Sequence, residues 1–65
     1  MLYGEIANLL AAAGRTKQAI EYYRLSLAQD PLQPDALRKL ATLLGPSDES
    51  SALRRKAASL LPHPN

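Results

Sequence analysis

The strongest constraint on how this chain folds is that it repeats itself. With a shift of 34, Tyr3 falls on Leu37, Ile6 on Leu40, Ala7 on Ala41 and Leu10 on Leu44. With a shift of 33, Ala19 falls on Ala52, Ser26 on Ser59, Leu27 on Leu60 and Pro31 on Pro64. The two shifts imply that the second unit is one residue shorter, most simply in its inner turn around Gly45–Asp48. A period of this length marks stacked supersecondary units, none of which can bury its apolar face alone. Large residues alternate with Ala and Ser, and the small positions let two helices approach closely.

Glycine and proline mark where the units divide. Apolar residues at three- and four-residue spacing predict a helix over about Leu2–Ala13, carried by Leu2, Tyr3, Ile6, Leu9, Leu10 and Ala13. Gly14 suits the left-handed position after its end. A second helix is predicted over about Lys17–Gln29, with Thr16 as N-cap and Arg24 as the nearest basic partner of Glu21. A third runs over about Pro34–Leu44, with Pro34 at the first helical position and Asp35 complementing the helix dipole. Gly45-Pro46 stops it. The fourth covers about Asp48–Leu61, capped by Ser47, and Pro62 and Pro64 close the chain. No segment alternates as a strand does. The expected fold is all-α: two helix–turn–helix units of four antiparallel helices, in one domain (1–65), divided as 1–33 and 34–64.

The pattern resembles the tetratricopeptide repeat, a 34-residue helix–turn–helix unit. Tyr3, Ile6, Ala7 and Leu10 stand at the family's first-helix positions, Ala19, Tyr23, Ser26 and Pro31 at those of the second. Gly14 sits at the inner turn. Leu37, Leu40, Ala41, Leu44, Ala52, Ser59 and Pro64 fit in the second unit, where Lys56 replaces the aromatic and the GPSDES turn is atypical. The resemblance implies a fragment of a right-handed superhelix that binds peptides or partner domains. It also implies that the first helix of each unit lines a concave groove. The matching residues are Gly4, Asn8, Ala11 and Ala12, then Arg38, Lys39, Thr42 and Gly45. Of these, Asn8, Ala11, Arg38, Lys39 and Thr42 are the expected partner-binding set. Some family members clamp a terminal carboxylate with Lys and Asn. Asn8 matches one clamp Asn, but Gly4 stands where the clamp Lys would be and Lys39 where a second Asn would, so the clamp is incomplete.

Length matters here because a 65-residue core supplies only about 3–5 kcal/mol and needs staples or partners. With no Cys and one His, neither a disulfide nor a multi-His metal site can supply them. No extra polar capping helix follows Leu61, so the face of the last helix is expected to be an interface. Leu53, Ala57, Leu60 and Leu61 are its candidates, in a homodimer, with a longer array as the alternative. Tyr23 is expected in the core and Tyr22 outside it, as an exposed anchor. His63 lies between two prolines without a ligand partner.

Other functions find less in the residues. The acidic side chains and serines form no nucleophile–base pair, so no catalytic residue, metal site or cofactor is expected. Arg54, Arg55 and Lys56 are the one basic cluster and the basis of an alternative, a nucleic-acid-binding helical repeat. Three consecutive helical residues fan around the axis, however, rather than forming one stripe. There is no apolar run long enough to span a membrane and no signal-peptide pattern at the start. A cytoplasmic location is the expectation that follows.

Overall fold

The computed structural model describes residues 2–60, so the expectations placed on Leu61, Pro62, His63 and Pro64 lie outside it. Four helices follow one another: α1 (Tyr3–Ala12), α2 (Thr16–Gln29), α3 (Pro34–Leu44) and α4 (Asp48–Leu60). Helix α1 packs on α2, α3 packs on α4, and α2 lies against α3, joining the two hairpins. There is no strand among the described residues. The fold is all-α.

Each turn is closed by a specific local device. After α1, the Gly14 N–H donates to the Ala11 carbonyl (3.1 Å) and the Arg15 N–H to the Leu10 carbonyl (2.9 Å). This pair of bonds is the Schellman motif, which needs a left-handed residue between them. Gly14 supplies it at φ 80°. Gly45 ends α3 at φ 73°, ψ −171°, a region open essentially to glycine alone. The extended ψ is also what the following Pro46 demands of its neighbour. At the start of α4, Ser47 and Ser50 cap each other. The Ser50 N–H donates to Ser47 Oγ (3.1 Å), and the Ser47 N–H donates to Ser50 Oγ (3.0 Å). The buried Ser50 hydroxyl donates in turn to the Ser47 carbonyl (3.0 Å).

Thr16 does not cap α2. The α1 turn draws the Arg15 N–H back onto α1, and the Arg15 carbonyl already accepts the first α2 bond, from the Ala19 N–H (2.9 Å). Arg15 is therefore the N-cap, without a side-chain bond, and Thr16 is the first helical residue. Pro34 stands at the start of α3 as expected.

The α2–α3 connection is held by a side chain that has no periodic signature. Gln33 Nε2 donates to the carbonyls of Ser26 (2.9 Å) and Asp30 (2.7 Å), and Gln33 Oε1 accepts from the buried Ser26 hydroxyl (3.3 Å). Asp30 Oδ1 accepts from the Leu32 N–H (3.0 Å). The Ser26 carbonyl, which already accepts the Asp30 N–H (3.0 Å), thus takes a second bond, and the side chain of Gln33 ties the end of α2 to the start of α3.

The core corrects the register of the second unit. Ala7 and Ala41, related by the shift of 34, are both fully buried. On the second helices the same shift holds. It takes Ala19 to the half-buried Leu53, Tyr23 to the fully buried Ala57 and Ser26 to the half-buried Leu60. The shift of 33 instead lands on Ala52, Lys56 and Ser59, all exposed. One residue of slip turns a helix by about 100°, enough to carry a core position to the surface. No residue has been lost. The inner turn has moved instead: α3 ends at Leu44, ahead of Pro46, the counterpart of Ala12 where α1 ends. Likewise α4 begins at Asp48, ahead of Ser50, the counterpart of Thr16 where α2 begins. Ala57, not Lys56, takes the place of the aromatic.

The α4 extension created by this earlier start carries Glu49, which meets Arg24 of α2 in a two-bond ion pair (2.7 and 3.1 Å). Arg24 thereby turns to the second hairpin rather than to Glu21. Hydrogen bonding from Arg24 holds the Glu49 carboxyl below its ordinary range and raises the Arg24 guanidinium. A depressed carboxyl contributes stability above its unfolded value of about 4.3 and loses that contribution as pH falls through the folded value. Both side chains are about half exposed, so the effect is small. Glu49→Gln is expected to lower Tm by no more than about 1–2 °C at pH 7, with the two melting curves converging below pH 4. A Tm gap unchanged between pH 7 and pH 3 would contradict this assignment.

Candidate functional site

Helices α1 and α3 face each other across a groove whose floor is α2. The α1 stripe of Ala7 and Ala11 is small, so α2 lies close, and the Tyr23 ring reaches up between the two outer helices. Only 3% of Tyr23 is exposed, and burial raises its phenol above the ordinary value, so the hydroxyl is a fixed donor at neutral pH. It donates to Asn8 Oδ1. Lys39 Nζ of α3 donates to the same oxygen (3.2 Å). Asn8 is therefore neither simply solvated nor bonded to backbone. It ties α1 to α2 and α3, and both bonds fall on its carbonyl oxygen.

This trio separates two open cavities. The first, about 360 Å³, is lined by Asn8, Ala11, Tyr23, Arg38, Lys39, Thr42 and Leu43. Of the eight residues expected on the concave face, the five of the expected partner-binding set line it. The second, about 400 Å³, opens toward the start of α1 and is rimmed by Gly4 and by Glu5, Asp30 and Asp35. Ala12 and Gly45 line neither cavity. The charges are distributed unevenly along the groove: carboxylates lie at one end, Arg38 at the other, and Lys39 stands between, lining both cavities. Asp35 moderates this, since it accepts a hydrogen bond from Arg38 (2.6 Å). Thr42 is turned back on its own helix, donating to the Arg38 carbonyl (3.0 Å).

Sequence reasoning placed Tyr23 in the core and missed its second role as the groove floor. The signal was available: a tyrosine at a buried position, unlike phenylalanine, needs a partner for its hydroxyl. Tyr22 is the reverse case. Expected outside as an exposed anchor, it is half-buried against the core, its ring 5.9 Å from that of Tyr3.

The residues expected to form an interface on the last helix are placed differently from that expectation. Ala57 is fully buried and has no area to offer a partner, and Leu53 packs on the core cluster. Leu60 is half-buried, and Leu61 lies outside the described residues. The cause is the corrected register, which turns these positions toward α3. The outward face of α4 carries Ala52, Arg54, Arg55, Lys56 and Ala58 instead. Among the described residues, no group of His and acidic side chains could hold a metal ion, and no helix is long and apolar enough to cross a membrane.

Residues 2–43 match the sequence pattern of the tetratricopeptide repeat. The match takes in the first hairpin and nearly all of α3, and so includes both walls of the groove. No curated protein and no solved structure matches the chain. With the helical hairpins, the Gly14 turn and the buried small positions, this match means that the chain belongs to the tetratricopeptide repeat family.

Proposed function

We propose that this chain is a protein-interaction module that takes an extended peptide segment in the groove between α1 and α3, with a carboxylate of the peptide at Lys39 and Arg38. Tetratricopeptide repeats are in general protein-interaction modules; the groove and the ligand class are our reading. The division of the chain into repeats 1–33 and 34–64 belongs to the same proposal. The observation that carries it is the meeting of Asn8, Ala11, Arg38, Lys39 and Thr42 around one cavity over the Tyr23 hydroxyl.

The chemistry follows from the donors. Lys39 spends one proton on Asn8 and keeps two for a ligand. Asn8 has its oxygen occupied, which directs its amide N–H groups to the ligand and suits a peptide carbonyl. Charge-assisted bonds to a carboxylate are about twice as strong as neutral ones. Ala11 and Leu43 provide apolar wall. At the other end, Glu5 and Asp30 favour a basic side chain, so the groove would read the order of charges along a peptide.

The test is a titration of the folded chain with paired peptides differing only as Glu versus Gln at one central position. The Glu peptide is expected to shift the amide signals of Asn8, Lys39 and Thr42, and Lys39→Glu to weaken it tenfold or more. Equal binding of the Glu and Gln peptides, or shifts confined to other faces, would overturn the reading.

A further inference from the structure

We infer that Asp35 selects the ligand of the groove. It occupies Arg38 in the free chain, and yields it to the carboxylate of a segment that brings a basic side chain of its own, two residues away, to Asp35. This deepens the groove reading, on which it rests, by naming a segment of mixed charge rather than an acidic one as the ligand.

Three carboxylates, Glu5, Asp30 and Asp35, line the two cavities against two cations, Arg38 and Lys39. An all-acidic segment lying along the whole groove therefore meets more negative charge than positive. Among the described residues, two ion pairs form, and the one in the groove joins Asp35 to Arg38 (2.6 Å). Lys39 donates to a neutral oxygen, that of Asn8, so its charge stays available to a ligand. Arg38 is different, because Asp35 already gives it what a ligand carboxylate would give.

Asp35 is placed to let go. It stands in the first turn of α3, its side chain is 78% exposed, and half of the Arg38 side chain is exposed. A pair this open to water holds weakly. Its two members also open on different cavities. Asp35 lines the 400 Å³ cavity with Glu5 and Asp30, and Arg38 lines the 360 Å³ cavity. A ligand cation in the first and a ligand carboxylate in the second thus replace one exposed pair by two that tie the ligand down. Leu2, Tyr3 and Ala36 add apolar wall to the larger cavity, which suits the methylene stem of a lysine or arginine.

Spacing sets the register of the ligand. Arg38 and Lys39 follow Asp35 by three and four residues, about 4.5–6 Å along the helix axis. In an extended chain, side chains two residues apart share a face and stand about 6.5 Å apart, whereas adjacent ones point to opposite faces. An acidic and a basic residue with one residue between them can therefore meet Arg38–Lys39 and Asp35 together.

The experiment titrates the folded chain with peptides identical except at two positions: Glu-x-Arg, Arg-x-Glu, Glu-x-Gln and Gln-x-Gln. The better of the two mixed orders is expected to bind at least about threefold tighter than Glu-x-Gln. Asp35→Asn should then act in opposite directions on the two classes. Glu-x-Gln should bind about two- to threefold tighter, because Arg38 is released, and the advantage of the added arginine should fall below about 1.5-fold. A merely structural role for Asp35 would weaken every peptide together, and the variant's Tm is expected within about 2 °C of the parent. Glu-x-Gln binding as tightly as both mixed peptides, or an arginine advantage that survives Asp35→Asn, would overturn the inference and leave the groove reading standing. Glu-x-Gln binding no tighter than Gln-x-Gln would overturn both.

Discussion

Leu40→Ala is expected to unfold this protein at room temperature, or to leave it so marginal that its melting transition loses cooperativity. Among the described residues, Leu40 is the one large side chain exposed by less than 2%. It stands where the two hairpins meet, in one cluster with Ala7, Ala19, Tyr23 and Ala36. Truncation removes three carbons from a cluster whose other buried members are three alanines, which cannot reach into the space, and Tyr23, whose hydroxyl is held by Asn8. Such substitutions cost about 2–5 kcal/mol. A chain of this size has about 3–5 kcal/mol in total. Urea denaturation followed by circular dichroism checks the result, with Leu40→Met as the volume-conserving control expected to cost under about 1.5 kcal/mol. A Leu40→Ala chain that melts cooperatively within a few degrees of the parent would show that the hairpins are stable independently of each other.

The second large effect is expected at Tyr23, and it comes in two parts. Tyr23→Ala removes the groove floor and the aromatic in the cluster, at a cost of about 3–5 kcal/mol. This again matches the stability of the whole chain. Tyr23→Phe keeps the ring and deletes only the hydroxyl. Asn8 then retains the Lys39 bond alone, and the stability loss should fall to about 0.5–1.5 kcal/mol. The Phe variant should fold, and NMR should show the Asn8 side-chain amide losing its single orientation while signals from α4 stay in place. Peptide affinity should drop with it. If Tyr23→Phe leaves the Asn8 amide signals where they were, the hydroxyl does not organise the groove.

The two residues also show why some of this molecule could be read from its sequence and some could not. The helices, the Gly14 and Gly45 stops, the Pro34 start and the Ser47 cap each depend on a few adjacent residues, and each is legible locally. The groove set came from the resemblance to the repeat family, which puts the first helix of each unit on a concave face; helical spacing only says which residues share that face. What spacing does not fix is the rotation of one helix against another. Matching Ala19 to Ala52 and Ser26 to Ser59 was plausible as letters, since small residues recur throughout this alanine-rich chain. Packing selects the neighbouring register, because only that one buries Ala57, half-buries Leu53 and Leu60 and leaves Lys56 outside. The interface expected on α4 followed from the lack of a capping helix after it, and it counted as outward residues that packing turns inward, Ala57 above all. On α1 the converse holds: Leu2 and Leu9 read as ordinary core residues of an amphipathic helix, and both are exposed.

The sequence by itself determined that the chain is helical, where its helices stop, and that it repeats at tetratricopeptide length. These properties come from backbone conformational preferences and from the helical period, which act over short stretches of chain. The tertiary structure alone decided the register of α4, the pairing of Arg24 with Glu49, the capture of Asn8 by Tyr23 and Lys39, and which apolar face is left open. Each of these joins residues far apart in the chain, by contacts between helices whose relative rotation is set by packing and by no local preference.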